Sequence, residues 1–138
     1  MQRTFVLLKP DAIKRGLVRK IFMIFERNGL HAIKQKSLRP SASLIWKMYP
    51  ALNPKEKFAR EHVKYVCSGK VIAAVLEGKN AVRKARKVVG NKNPEKASKG
   101  TIRKKFGYID RKTDLWITVV HAADSRENAE REAKLFGL

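Results

Sequence analysis

Val119-Val120-His121-Ala122-Ala123-Asp124-Ser125 decides the reading of this chain. Strand-forming valines run up to a histidine, and three residues later an aspartate stands where a helix start needs a side-chain oxygen. Glu127 follows Asp124 at the capping-box spacing. The segment reads as a strand passing into a helix, with one imidazole at the mouth between them. An uncharged imidazole nitrogen is a nucleophile that needs no separate base.

Working outward from that junction, Leu115 to Val120 is the last strand and Asp124 caps the last helix. Upstream, Asn80 to Val89 is a helix with Val82, Ala85 and Val89 on one face and Gly90 at its end. Between Gly90 and about Phe106 the sequence has no periodicity. Lys70 to Leu76 reads as a buried strand, and so does the short apolar run Thr4 to Leu8, which Pro10-Asp11 breaks. Leu17 to Asn28 is a helix with Val18, Ile21 and Phe25 at helical spacing and Gly29 as its stop. Leu30 to Leu38 is an exposed strand, and Ser41 to Tyr49 a helix ended by Pro50. The order β-α-β-(α)-β-α-β-α predicts an α+β fold: a ferredoxin-like βαββαβ antiparallel four-stranded sheet with covering helices. No linker or repeat interrupts it, so residues 1–138 are expected to form one domain.

Composition narrows the function. Of 138 residues, 32 are Lys or Arg and 12 are acidic, a formal net charge of +20. Such a field draws polyanions: nucleotides, nucleic acid or anionic surfaces. The densest stretch, Lys79 to Lys105, has Glu95 as its only acid. With one cysteine, Cys67, an internal disulfide is excluded. No apolar run reaches membrane-spanning length and the apolar start is too short for a signal peptide, so a cytoplasmic protein without membrane contact is expected. A protein-kinase type of enzyme is excluded, because neither its glycine-rich loop nor its catalytic-loop motif is present.

Several strings in order carry a family resemblance: Thr4-Phe5-Val6-Leu7-Leu8-Lys9-Pro10-Asp11-Ala12, Arg15-Gly16-Leu17-Val18, Ser68-Gly69-Lys70-Val71 and Glu77-Gly78-Lys79-Asn80-Ala81-Val82. Asn93-Pro94, Gly100-Thr101-Ile102-Arg103 and His121-Ala122-Ala123-Asp124-Ser125 through Glu132 complete it. Together they resemble nucleoside diphosphate kinases over nearly the whole chain. The resemblance implies a ping-pong phosphotransferase that moves the γ-phosphate of ATP or another nucleoside triphosphate to a nucleoside diphosphate. Its covalent intermediate is a phosphohistidine, here on His121. Mg2+ is the cofactor, carried by the nucleotide phosphates rather than by protein ligands.

Residue by residue, the resemblance makes Glu132 the carboxylate that orients His121 and Tyr49 the aromatic beside it. Lys9 matches a lysine that reaches the sugar and the γ-phosphate. Arg86 and Arg103 match the arginines that grip phosphate oxygens, a task suited to a planar guanidinium. Phe58 matches the platform on which the base stacks. Some positions depart from the family: at nucleotide-binding positions Lys92 replaces a threonine and Thr118 an asparagine, and Ala123 replaces a serine usually hydrogen-bonded near the histidine pair. Lys104-Lys105 replaces a glycine and an acid, and the stretch from Gly107 to Asp114 is longer than usual. These changes leave the phosphate chemistry expected and altered base contacts with it. The resemblance further implies a homo-oligomer, a hexamer or a tetramer, with Pro94 in a loop that often packs at the trimer contact. The alternative reading is a diverged member with weak catalysis that binds RNA or DNA through its basic surface. Its binding would weaken steeply with salt, but the aromatic residues show no regular interleaving with the basic ones.

Overall fold

A computed structural model describes residues 1–138. Strand β1 (Gln2–Leu8) is central, flanked by β3 (Val71–Gly78) and β6 (Val120–Ala122), with β2 (His31–Leu38) on the outer edge of β3. The sheet order β2-β3-β1-β6 is antiparallel throughout. This is the α+β, ferredoxin-like architecture expected from the sequence. From Phe5 to Leu8 β1 is continuously apolar because both its faces are covered there. Val6 and Leu8 enter the cluster under α2 (Val18–Arg27) and α5 (Ala81–Val89), while Phe5 and Leu7 enter the cluster under α3 (Ala42–Met48), α4 (Lys57–Val66) and α7 (Arg126–Leu135). All four are fully buried, each contributing about 1.5–3 kcal/mol of apolar burial. Edge strand β2, by contrast, carries Lys34, Gln35 and Lys36 outward, a composition that discourages stray strand pairing.

The structure corrects the sequence reading in five places. The first strand ends before Pro10 as expected, but Pro10 also opens an unforeseen short helix, α1 (Pro10–Lys14), because its fixed φ suits a first helical turn. Helix α4 was not expected at all. Its buried face, Ala59, Val63 and Val66, is hidden among charged residues. Within the aperiodic stretch lies α6 (Ile102–Phe106), capped by the Thr101 hydroxyl, which accepts from Lys104 N at 3.2 Å.

The expected last strand is two strands. β5 (Leu115–Ile117) pairs with β4 (Tyr108–Asp110) in a separate hairpin, and only β6 joins the main sheet. The long segment after Gly107 is that hairpin. His121 consequently lies inside β6, paired with Leu7, rather than beyond a strand end. Finally, Ser125 caps α7 in place of Asp124: its hydroxyl accepts from Asn128 N at 3.0 Å. Glu127 then falls one position short of a capping box, although its charge still suits the helix start. No helix is long and apolar enough to cross a membrane.

Candidate active site

Helix α7 packs against β1 and β3, and its inward stripe of Ala129, Glu132, Ala133 and Phe136 contains one acid. Glu132 is 3% exposed and its Oε1 is hydrogen-bonded to His121 Nε2. An ionised carboxylate can only accept, so Nε2 carries the ring proton and Nδ1 carries the lone pair. Burial holds the His121 pKa below its ordinary value. The Glu132 bond and charge oppose that shift, while Lys9 and Arg103 add to it. The ring is therefore neutral at neutral pH. Tyr49, just past the end of α3, stands edge-on to it at 5.2 Å, and Phe5 closes another side at 6.2 Å. Arg131 ties α7 to the end of α3 by donating to Lys47 O at 2.7 Å and Met48 O at 3.3 Å.

The backbone before His121 is bent. Val119 has φ of 70°, and Val120 N donates back to Thr118 O at 2.7 Å, closing a γ-turn. A β-branched residue at positive φ is strained, and the surroundings hold it there. Lys9 N donates to Val119 O at 2.8 Å, while Val119 N donates to the Tyr65 hydroxyl at 3.3 Å. That hydroxyl in turn donates to Asp11. The turn lets the chain leave the β4–β5 hairpin and enter β6 with the imidazole on the open side of the sheet.

Lys9 is 1% exposed, and its Nζ donates to the Thr118 hydroxyl. Burial pushes its pKa well down, Arg103 lowers it further and Asp11 partly restores it. A buried ammonium held by one hydroxyl attracts an anion strongly. Arg103 is fixed by three carbonyls: Nε donates to Thr118 O at 3.2 Å, Nη1 to Gly90 O at 3.2 Å and Nη2 to Val120 O at 2.7 Å. Burial lowers its pKa to about 10, so it stays charged. A guanidinium has five N–H groups, which leaves two for a ligand. Gly90 makes this approach possible. Its φ is 92°, and a Cβ there would stand 2.7 Å from Thr101.

Every site residue read from the sequence lines one open cleft of about 1840 Å³: His121, Glu132, Lys9, Tyr49, Phe58, Arg86, Lys92, Arg103 and Thr118. They occupy it differently. Thr118 is buried with its hydroxyl engaged by Lys9, whereas Arg86 and Lys92 are exposed at the rim. Phe58 is half-exposed and meets Trp116 of β5 edge-on at 5.9 Å. Ala123 is fully buried, and its backbone N–H donates to Phe5 O at 3.0 Å. The sequence reading passed over Trp116, Asp124 and His62, which also line the cleft. His62 follows Phe58 by four residues, so recognising α4 would have placed both on one helix face. No group of three or more His, Cys, Asp or Glu is arranged to hold a metal ion. The cleft thus pairs one oriented neutral nucleophile with a cationic wall, an arrangement suited to receiving a phosphoryl group.

Comparison with known proteins gives one answer. The family model described as nucleoside diphosphate kinase matches residues 2–137. A nucleoside diphosphate kinase of Archaeoglobus fulgidus is 43% identical over 136 residues, covering 99% of this chain and 86% of the relative. The crystal structure of the apo enzyme of that name from Encephalitozoon cuniculi superposes with a TM-score of 0.88 at 38% identity, covering 99% of this chain and 89% of that one. A halophilic nucleoside diphosphate kinase from Halobacterium salinarum, solved in complex with CDP, gives a TM-score of 0.87 at 34% identity over 98% of this chain and 86% of that one.

Proposed function

The chain belongs to the nucleoside diphosphate kinase family, and from that premise we propose that His121 is the residue that carries the phosphoryl group. The activity is exchange of the terminal phosphate between nucleoside tri- and diphosphates. The observation that carries the residue assignment is the His121–Glu132 pair in a cleft walled by Lys9, Arg86, Lys92 and Arg103.

His121 Nδ1 attacks the γ-phosphorus. The N–P bond forms as the bond to the bridging oxygen breaks, and the nucleoside diphosphate leaves with that electron pair. The imidazole gains positive character in this step. Glu132, accepting from Nε2, stabilises that charge and keeps the ring in place. Lys9 and Arg103 meet the phosphate oxygens as negative charge shifts among them, and Arg86 and Lys92 hold the outer phosphates. Tyr49 packs the ring and Phe58 carries the base. Thr118 acts through Lys9, whose ammonium it positions. Transfer to a second diphosphate reverses the sequence. The magnesium ion enters with the nucleotide as part of the substrate, where it neutralises phosphate charge.

Residues 1–138 act as one domain of a cytoplasmic homo-oligomer, for which a hexamer is the expected size. Light scattering at physiological salt checks this, and a dimer or tetramer mass would overturn it. The nucleic-acid reading rests on the +20 charge and on the replaced residues Lys92, Thr118 and Ala123, while the oriented His121 favours the enzyme. Initial rates test the mechanism: varying MgATP at several fixed concentrations of GDP should give parallel double-reciprocal lines. Intersecting lines would mean direct transfer without a phosphoenzyme.

A further inference from the structure

His62 has no part in the chemistry above, yet α4 sets it in the same cleft. Its ring is nearly parallel to Phe58 (16°, centroids 6.3 Å) and edge-on to Tyr49 at 5.3 Å and Tyr65 at 5.9 Å. These contacts use the carbon faces and edges. What acts on the imidazole is burial and the charges of Lys9, His121 and Arg103; no protein group hydrogen-bonds either nitrogen. Nor is the ring sealed from the cleft. It is only partly buried, and the one fully enclosed side-chain polar atom without a partner is Thr4 Oγ1. Burial, Lys9, His121 and Arg103 together push the His62 pKa down to about 2. The ring is therefore neutral in the working range, with one N–H to give and one lone pair to receive.

Its place along the cleft identifies what it meets. Ring contacts run from Phe58 to His62 (6.3 Å), from His62 to Tyr49 (5.3 Å) and from Tyr49 to His121 (5.2 Å). A nucleotide with its base on Phe58 and its terminal phosphate at His121 spans the same order: base, sugar, phosphates. The sugar then falls beside His62. Thr118, also in the cleft, has its hydroxyl engaged by Lys9 and offers little to a ligand.

We propose that His62 is a specificity-determining residue that hydrogen-bonds the sugar hydroxyls of the bound nucleotide. The inference rests on the orientation of the nucleotide in the preceding reading. A neutral donor–acceptor pair suits a hydroxyl, which both gives and receives, and makes the contact insensitive to pH near neutrality. A sugar without hydroxyls leaves both nitrogens without a partner.

Equilibrium binding of ADP and 2′,3′-dideoxy-ADP to the full chain tests this by calorimetry. Wild type should hold ADP about fivefold more tightly than the dideoxy analogue, the worth of one net hydrogen bond. His62→Leu should weaken ADP by about that factor and leave the analogue within about twofold, removing the share of the discrimination that His62 supplies. His62→Gln, which keeps a donor and an acceptor, should restore most of it. Equal affinities of the two ligands in wild type would overturn the proposal without any variant. So would a His62→Leu variant that loses both ligands equally, because His62 would then act by packing alone. Binding is read without turnover, so a wild type that discriminates yet forms no phosphohistidine would sink the catalytic reading and leave this one standing.

Discussion

At His121 the two nitrogens of one ring meet different surroundings: Nε2 is held by Glu132, and Nδ1 keeps its lone pair. Two consequences are testable. Because burial lowers the His121 pKa, the neutral nucleophile survives below pH 6.5, so the acid limb of kcat/KM should lie below that value. Glu132 raises the pKa, so Glu132→Gln should move the limb further down while lowering kcat about 10- to 100-fold through the lost charged hydrogen bond. A limb that moved upward would contradict the assignment of Glu132. Thr118→Val removes the acceptor of a buried ammonium and should cost about 1–3 kcal/mol in urea unfolding; an unchanged midpoint would show that Lys9 finds another partner. Much of the site could be read from the sequence because strings such as Gly-Thr-Ile-Arg align single residues. The role of Glu132 came from that alignment, whereas its burial in a stripe with Ala129 and Phe136 emerged only from the fold. What Lys9 and Thr118 do to each other was not legible, because 109 residues of chain separate them.

Among the elements, helix α7 and the segment entering it decide how well the site is held. Ser125 and Asp124 are adjacent candidates for the cap, and only geometry separates them. Ser125→Ala should lower stability by about 1 kcal/mol, and Asp124→Ala by less, because the exposed Asp124 carboxylate bonds the Asn128 side-chain amide at 2.5 Å and caps no backbone N–H of α7. Equal losses would return the cap to Asp124. Gly90→Ala forces a side chain into a positive-φ position facing Thr101 and should cost at least about 1–3 kcal/mol. It should also weaken nucleotide binding, since Arg103 is anchored on Gly90 O. The doubly buried strand β1 and the amphipathic helices α2 and α5 were legible from periodicity. The break at Thr118 and Val119 was not, because two β-branched residues look like strand, and the turn is imposed by Lys9 and Tyr65 from distant parts of the chain. Helix α4 hid for another reason: its inward face alternates with Lys57, Arg60, Glu61 and Lys64, which blur a short pattern.

For the molecule as a whole, a net charge of +20 acts at long range on every approaching phosphate. The Debye length shrinks from about 30 Å at 0.01 M salt to about 8 Å at 0.15 M. KM for MgATP should therefore rise several-fold across that interval while kcat, set inside the cleft, changes little. A flat KM would show that the surface charge has no share in capture. The central claim is that His121 carries the phosphoryl group, and the most direct test mixes the protein with γ-labelled ATP and magnesium beside a His121→Ala variant. Wild type should give an acid-labile phosphoprotein that unlabelled GDP discharges as labelled GTP, and the variant should take no label. Label retained by His121→Ala, or none on a folded wild type that binds ATP, would contradict the claim.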